Sequence, residues 1–128
     1  MRKKSRPRPT GAELEILRVL WQRGPSTVRE VLEALERRDV GYTTVLKLLQ
    51  IMVEKGLVNR DLSQRAHVYE ARLPREQTER QLVRDLVDRA FGGSAERLVM
   101  QALSSKKASA QELDRIREFL DRLEGEQG

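Results

Sequence analysis

Between Thr10 and Leu73 the apolar residues change their spacing once. Up to Glu54 they recur every three or four positions, which is the repeat of one helix face; from Leu57 to Arg72 they fall in two short runs around a polar connection. Punctuation within the helical part divides it into three. Thr10 with Glu13 has the spacing of a capping box, and Leu14, Ile16, Leu17, Leu20 and Trp21 follow before Gly24-Pro25 stops the helix. Thr27 with Glu30 repeats the box, and Val28, Val31, Leu32 and Leu35 lie at i, i+3, i+4 and i+7. A third helix runs from about Tyr42 to Glu54, buries Val45, Leu48, Leu49 and Met52, and ends at Gly56 in the position of a C-cap. The runs Leu57–Leu62 and His67–Arg72 then predict a β-hairpin connected by Ser63–Ala66, closed by Pro74.

The remaining segment is helical and differently built. Val83, Leu86, Val87 and Ala90 form one stripe, interrupted at Phe91-Gly92-Gly93. Ser94 caps a short helix with Leu98, Val99, Ala102 and Leu103, and Ser104–Lys107 break the pattern. Ser109 with Glu112 makes a third capping box, after which Leu113, Ile116, Leu120 and Leu123 recur at spacings of 3, 4 and 3, the seam of a coiled coil. Apolar stripes this narrow cannot close a core of their own, so the segment calls for a partner surface, and a second copy of the chain fits best.

Three helices followed by a hairpin is the order of a winged helix-turn-helix. The fold class expected is therefore mainly α with a small β-hairpin: a basic arm over residues 1–9, a winged helix-turn-helix over 10–73 and a helical dimerisation region over 74–128. In such a module the third helix enters the major groove of double-stranded DNA, and its first residues meet base edges. Here these are Tyr42, Thr43 and Thr44, then Lys47 and Gln50, with Thr43, Lys47 and Gln50 opposite the apolar face. A threonine offers a hydroxyl to a base or phosphate and a methyl to thymine; a glutamine can pair with adenine; a lysine reaches phosphate. Arg65 stands at the tip of the wing and Arg60 on its flanking strand, both suited to phosphate or the minor groove. Trp21 and Tyr69 are expected in the core, and His67 reads as a strand residue rather than a ligand or base. The candidate dimer residues are Leu86, Leu98, Leu113, Ile116, Leu120 and Leu123.

Charge agrees with a polyanionic partner. The 128 residues carry a net charge of +5, and the excess is local. Residues 1–9 hold five cations and no acid, residues 10–73 ten basic and nine acidic residues, and residues 74–128 ten basic and eleven acidic. The arm is expected to add phosphate or minor-groove contacts. The alternative function is a winged-helix protein–protein adaptor, which the polar start of the third helix and the basic arm disfavour. Chemistry is poorly served. There is no cysteine and one histidine, which excludes thiolate and paired-histidine metal sites. No glycine-rich phosphate loop or nucleophile elbow occurs. Acids in the helical region have opposite-sign neighbours at helical spacing, as in Glu76/Arg80, Asp114/Arg117 and Glu118/Arg122. No cofactor is expected. Absent an apolar span or a signal-peptide pattern, no membrane insertion and a cytoplasmic location are expected.

Several stretches resemble the penicillinase repressor family, which includes methicillin-resistance and copper-responsive repressors. "TGAELEILRVLWQRG" at Thr10–Gly24 resembles its opening helix, and Pro25-Ser26-Thr27-Val28-Arg29-Glu30-Val31 the start of its second. "GYTTVLKLLQIMVEKGLVNR" at Gly41–Arg60 is similar to its recognition helix and first wing strand, and "RAHVYEA" at Arg65–Ala71 to the returning strand. Leu86–Val99, with "FGGS" at Phe91–Ser94, resembles its helical dimerisation segment. The resemblance extends over about residues 10–123. It implies a homodimeric repressor of transcription at an inverted-repeat operator, with Thr43 and Thr44 contacting DNA, Arg65 in the wing and the tail carrying the interface. For antibiotic-responsive members it also implies a sensor-linked protease as partner, which cuts the tail at an Asn-Phe bond. Gln101-Ala102 occupies the matching place here, and the cysteine-rich site of copper-responsive members has no counterpart.

Overall fold

The computed structural model describes residues 8–127; the expectation for the basic arm falls mostly on residues 1–7, outside them. The elements in chain order are α1 (Gly11–Arg23), β1 (Ser26–Thr27), α2 (Val28–Leu35), α3 (Tyr42–Lys55), β2 (Val58–Asp61), β3 (Val68–Ala71), α4 (Arg75–Ala90), α5 (Ala95–Ser105) and α6 (Ala110–Gln127). The chain divides into two compact units between Leu82 and Val83, within α4.

The first unit holds every buried residue described. Ile16, Leu17 and Leu20 of α1, Val28 and Val31 of α2, and Val45, Leu49 and Met52 of α3 close against Val58 of β2 and Tyr69 of β3. Leu48 and Trp21 are half-buried at the edge of this cluster, and the Trp21 indole Nε1 donates to the Leu73 carbonyl at 3.0 Å. Both expected capping boxes form: Thr10 Oγ1 accepts from the Glu13 N–H while the Glu13 carboxylate accepts from the Thr10 N–H, and Thr27 with Glu30 repeats the arrangement.

Three features depart from the sequence reading. The sheet has three antiparallel strands, in the order β1-β3-β2, rather than two. Ser26 pairs with Tyr69 and Thr27 with Val68. A helix N-cap holds an extended backbone, and Thr27 at φ −80° and ψ 168° can therefore cap α2 and lie beside β3 at once. The wing strands are also shorter than expected. Leu57 is drawn into the end of α3, where its N–H donates to the Met52 carbonyl below Gly56, which sits at φ 79° in the left-handed region that favours glycine. His67 likewise lies one residue before β3 rather than within it. Finally, α5 runs through Ser104 and Ser105, where a break was expected. Both hydroxyls donate back four residues, to the Met100 and Gln101 carbonyls, so the serines are satisfied inside a helix.

The second unit has no buried residue among those described. Leu86, Val99, Met100, Phe119, Leu120 and Leu123 are exposed, and Leu98, Leu113 and Ile116 are half-buried. Ser94 and Ser109 cap α5 and α6 as expected. Of the expected helical pairs, Glu76/Arg80 forms in the first unit and Asp114/Arg117 in the second; Arg122 instead lies over the Phe119 ring, 5.6 Å from its centroid, and makes no ion pair with Glu118.

One buried charge ties the helices of the first unit together. The Glu13 side chain is 2% exposed, and both its oxygens accept from Lys55 Nζ, at 2.9 and 3.0 Å. Removing the lysine leaves a desolvated carboxylate with its cap bond alone. Lys55→Met should therefore cost about 2 kcal/mol in urea unfolding. Adding Glu13→Gln, which keeps an acceptor for the cap but no charge, should recover part of that loss.

Candidate nucleic-acid interface

The buried stripe of α3 fixes what its other side presents. With Val45, Leu49 and Met52 turned inward, Tyr42, Thr43, Thr44, Lys47 and Gln50 are exposed. Thr43, Lys47 and Gln50 follow at spacings of 4 and 3 and form one strip, which Thr44 and Tyr42 flank. None of Thr43, Thr44, Lys47 and Gln50 makes a side-chain hydrogen bond or ion pair among the described residues, so their polar groups are available to a ligand.

The strip is oriented by contacts at both ends of α3. At its C-terminus Lys55 reaches Glu13 of α1. Ahead of its N-terminus Arg37 bonds Glu15 of α1 at 2.6 Å and Asp39 at 2.6 Å, which holds the turn between α2 and α3 against the first helix. The hydrogen bonds to Asp39 and then Glu15 push the Arg37 guanidinium well above its ordinary value, and the same contact holds the Asp39 carboxyl below its own. The cap of α2 is similarly set: the Thr27 backbone N–H lowers Glu30 from 4.5.

The wing connects Asp61 to Val68. Arg65 and His67 are exposed on it. A recess of about 240 Å³ opens between the wing and the starts of α2 and α3, lined in part by Arg29, Tyr42, Arg65, His67 and the buried Tyr69. The structure thus brings Arg65 together with Tyr42. Arg60 is exposed on β2, opposite Tyr69 in the register, and does not line this recess. Arg29 is the residue that the sequence reading passed over. Its guanidinium lies over the Tyr42 ring at 5.4 Å. Its only sequence signal is position: it is the second residue of α2, between Val28 and Glu30 of the capping-box segment, and nothing in helical periodicity marks it.

Of the six residues expected to form an interface, Leu86, Leu120 and Leu123 are exposed and Leu98, Leu113 and Ile116 half-buried, and Met100 and Phe119 are exposed in addition. No group of three or more His, Asp or Glu side chains that could hold a metal ion occurs among the described residues, and no described helix is long and apolar enough to cross a membrane.

The start of the wing is held by charge. The Asp61 carboxylate accepts from the Ser63 N–H at 2.9 Å, and this bond lowers the Asp61 pKa from 3.8. A depressed carboxylate contributes order above its ordinary value and loses it as pH falls through the folded one. An NMR acid titration should show the Ser63 amide moving with the Asp61 carboxyl at a midpoint below 3.8; a midpoint at or above 3.8 would refute the bond's role.

The family model described as penicillinase repressor matches residues 9–122. A transcriptional regulator named BlaI from Mycobacterium tuberculosis is 35% identical over 119 residues, spanning 91% of this chain and 85% of that protein. A penicillinase repressor from Bacillus licheniformis is 22% identical over 116 residues, spanning 90% and 91%. Among solved structures, the monomeric form of Bacillus licheniformis BlaI in complex with the blaP half-operator is 25% identical, with a TM-score of 0.49 over 58% of this chain and 92% of that one. The relatives found by sequence are named regulators and repressors, not enzymes.

Proposed function

The chain belongs to the penicillinase repressor family, and from that premise we propose that it is a homodimeric transcriptional repressor that binds double-stranded DNA at an inverted-repeat operator. The observation that carries the reading is the strip on α3: unpaired hydroxyl, ammonium and amide groups on a helix whose opposite face is locked into the core. In this reading residues 10–73 bind DNA. Thr43, Thr44 and Gln50 read base edges, Tyr42 flanks them, and Lys47, Arg60 and Arg65 hold phosphates. Residues 1–9 add further backbone contacts.

Residues 74–128 form the dimer interface. A segment with no buried residue does not stand in water on its own stripes. Leu86 and Leu98 with the seam Leu113, Ile116, Leu120 and Leu123 supply the apolar surface, and a two-fold partner covers it while presenting two recognition helices to two half-sites. Release by a sensor-linked protease belongs to the same reading. The Gln101-Ala102 bond lies inside α5, so cutting it requires that helix to open locally.

The test is a salt titration of binding to the protein's own promoter region and to random DNA, with mass measured in the same buffers. A dimer with selective binding and a steep salt slope is expected; no selectivity at any salt would overturn the repressor reading. Thr44→Ala should cut discrimination between the two DNAs by about 1 kcal/mol. An equal loss on both would assign Thr44 to phosphate instead. Ile116→Glu should sediment as a monomer and lose operator affinity by about tenfold or more, whereas a persistent dimer would place the interface elsewhere.

A further inference from the structure

The recess between the wing and the helices has a chemical character that the strip on α3 lacks. Its charged and titratable lining comes from three elements: Arg29 on α2, Tyr42 on α3, and Arg65 and His67 on the wing, with the buried Tyr69 of β3 beneath. Thr27, Val28, Leu46 and Ala66 complete it, and no carboxylate lines it. Arg29 and Arg65 make no ion pair with a described residue. Arg23 and Arg37 of this unit are matched to Glu30, Glu15 and Asp39, whereas Arg18, Arg38 and Arg60, like Arg29 and Arg65, make no ion pair with a described residue but do not line the recess. Cations converge on a concave surface here without an anion of their own. Arg29 is also held in place, because its guanidinium rests on the Tyr42 ring.

Histidine is the side chain whose charge changes in the physiological pH range. A neutral imidazole offers an anion one N–H; an imidazolium offers two and adds the attraction of a full positive charge. With no carboxylate in the recess, the anion that rewards protonation must come from outside the unit.

We propose that this recess seats one backbone phosphate of bound DNA between Arg29 and the wing, and that His67 takes up a proton as the phosphate enters. The inference rests on the DNA-binding reading above and deepens it: the affinity for DNA becomes linked to pH through one residue per protomer. The linkage has a fixed sign. The bound state holds more protons, so binding strengthens as pH falls, by no more than about tenfold per pH unit for each proton taken up. A backbone phosphate carries no sequence information, so the effect is the same on specific and random duplexes.

The experiment measures binding of the full chain to a promoter-region duplex and to a random duplex of equal length, from about pH 8 to about pH 6 at constant ionic strength. Circular dichroism at each pH establishes that the fold persists. The wild type should tighten on both duplexes by roughly tenfold per protomer over this range. His67→Gln should remove most of that slope, so that it binds more weakly than the wild type at the acid end of the range. His67→Lys, which fixes a positive charge, should bind tightly with little slope. Arg29→Gln should weaken binding to both duplexes equally and lower the salt slope. An unchanged pH slope in His67→Gln overturns the proton linkage with DNA binding intact. A slope on the promoter duplex alone overturns the phosphate assignment. Failure of the wild type to bind either duplex at any pH overturns the DNA-binding reading itself, and this inference with it.

Discussion

The angle at which α3 leaves the core depends on the carboxylate of Glu13. It closes the cap of α1 through Thr10 and binds Lys55 from the far end of α3, 42 residues on. A carboxylate that is 2% exposed is costly to desolvate, and its cost is met only when both partners are present. That makes the contact selective for one arrangement of the two helices, since a rotated or shifted α3 would leave the charge without its ammonium. Arg37 performs the corresponding task at the other end, on the surface, through Glu15 and Asp39. Between these two fixtures the apolar stripe of Val45, Leu49 and Met52 supplies the burial free energy, and the strip of Thr43, Lys47 and Gln50 is carried outward.

The two units solve the problem of small size differently. The first joins three short helices and a sheet around one cluster in which Tyr69, Ile16, Leu17 and Leu49 are nearly inaccessible. Its middle strand, β3, is paired on both sides, so the wing is built from the same strand that floors the recess. The second unit has helices capped at Ser94 and Ser109 and the local ion pairs Asp85/Arg89 and Asp114/Arg117, devices worth tenths of a kcal/mol when exposed. Those devices make helices, not a core. Its leucines and Phe119 stay in contact with solvent in a single chain, and what they lack is a surface rather than a better sequence.

Local rules made most of the fold legible. Capping boxes at Thr10, Thr27 and Ser109 form as spaced, Gly56 ends α3, and the change of period at Leu57 marks the wing. The failures have a common cause, which is that they depend on partners distant in sequence or on one side chain's choice of bond. Two residues, Ser26 and Thr27, carry no alternation that could announce a strand; they become one because β3 lies alongside. Ser104 and Ser105 read as helix breakers until their hydroxyls bond the preceding turn. The Glu13–Lys55 pair spans the unit and leaves no periodic trace. In the same way the exposed strip on α3 follows from helical periodicity, whereas the grouping of Arg29, Tyr42, Arg65 and His67 needs the tertiary fold.

This difference bears on how the two parts of the proposed interface can vary. The strip is carried by one helix, so a substitution at Thr43, Thr44 or Gln50 changes the groups it presents without disturbing the core behind it. The recess is assembled from α2, α3 and the wing, and its shape depends on Tyr69 beneath and on the strand pairing that sets the wing's position. In the proposed DNA-binding reading, sequence preference can therefore drift through the strip while the recess stays tied to the fold. A contact of the first kind suits base edges, which differ from site to site; one of the second suits the phosphate backbone, which does not. The charges of the first unit divide in the same way: Arg37 and Lys55 hold helices together through Glu15, Asp39 and Glu13, while Arg29, Lys47 and Arg65 make no ion pair with a described residue and, in the proposed DNA-binding reading, face the phosphates.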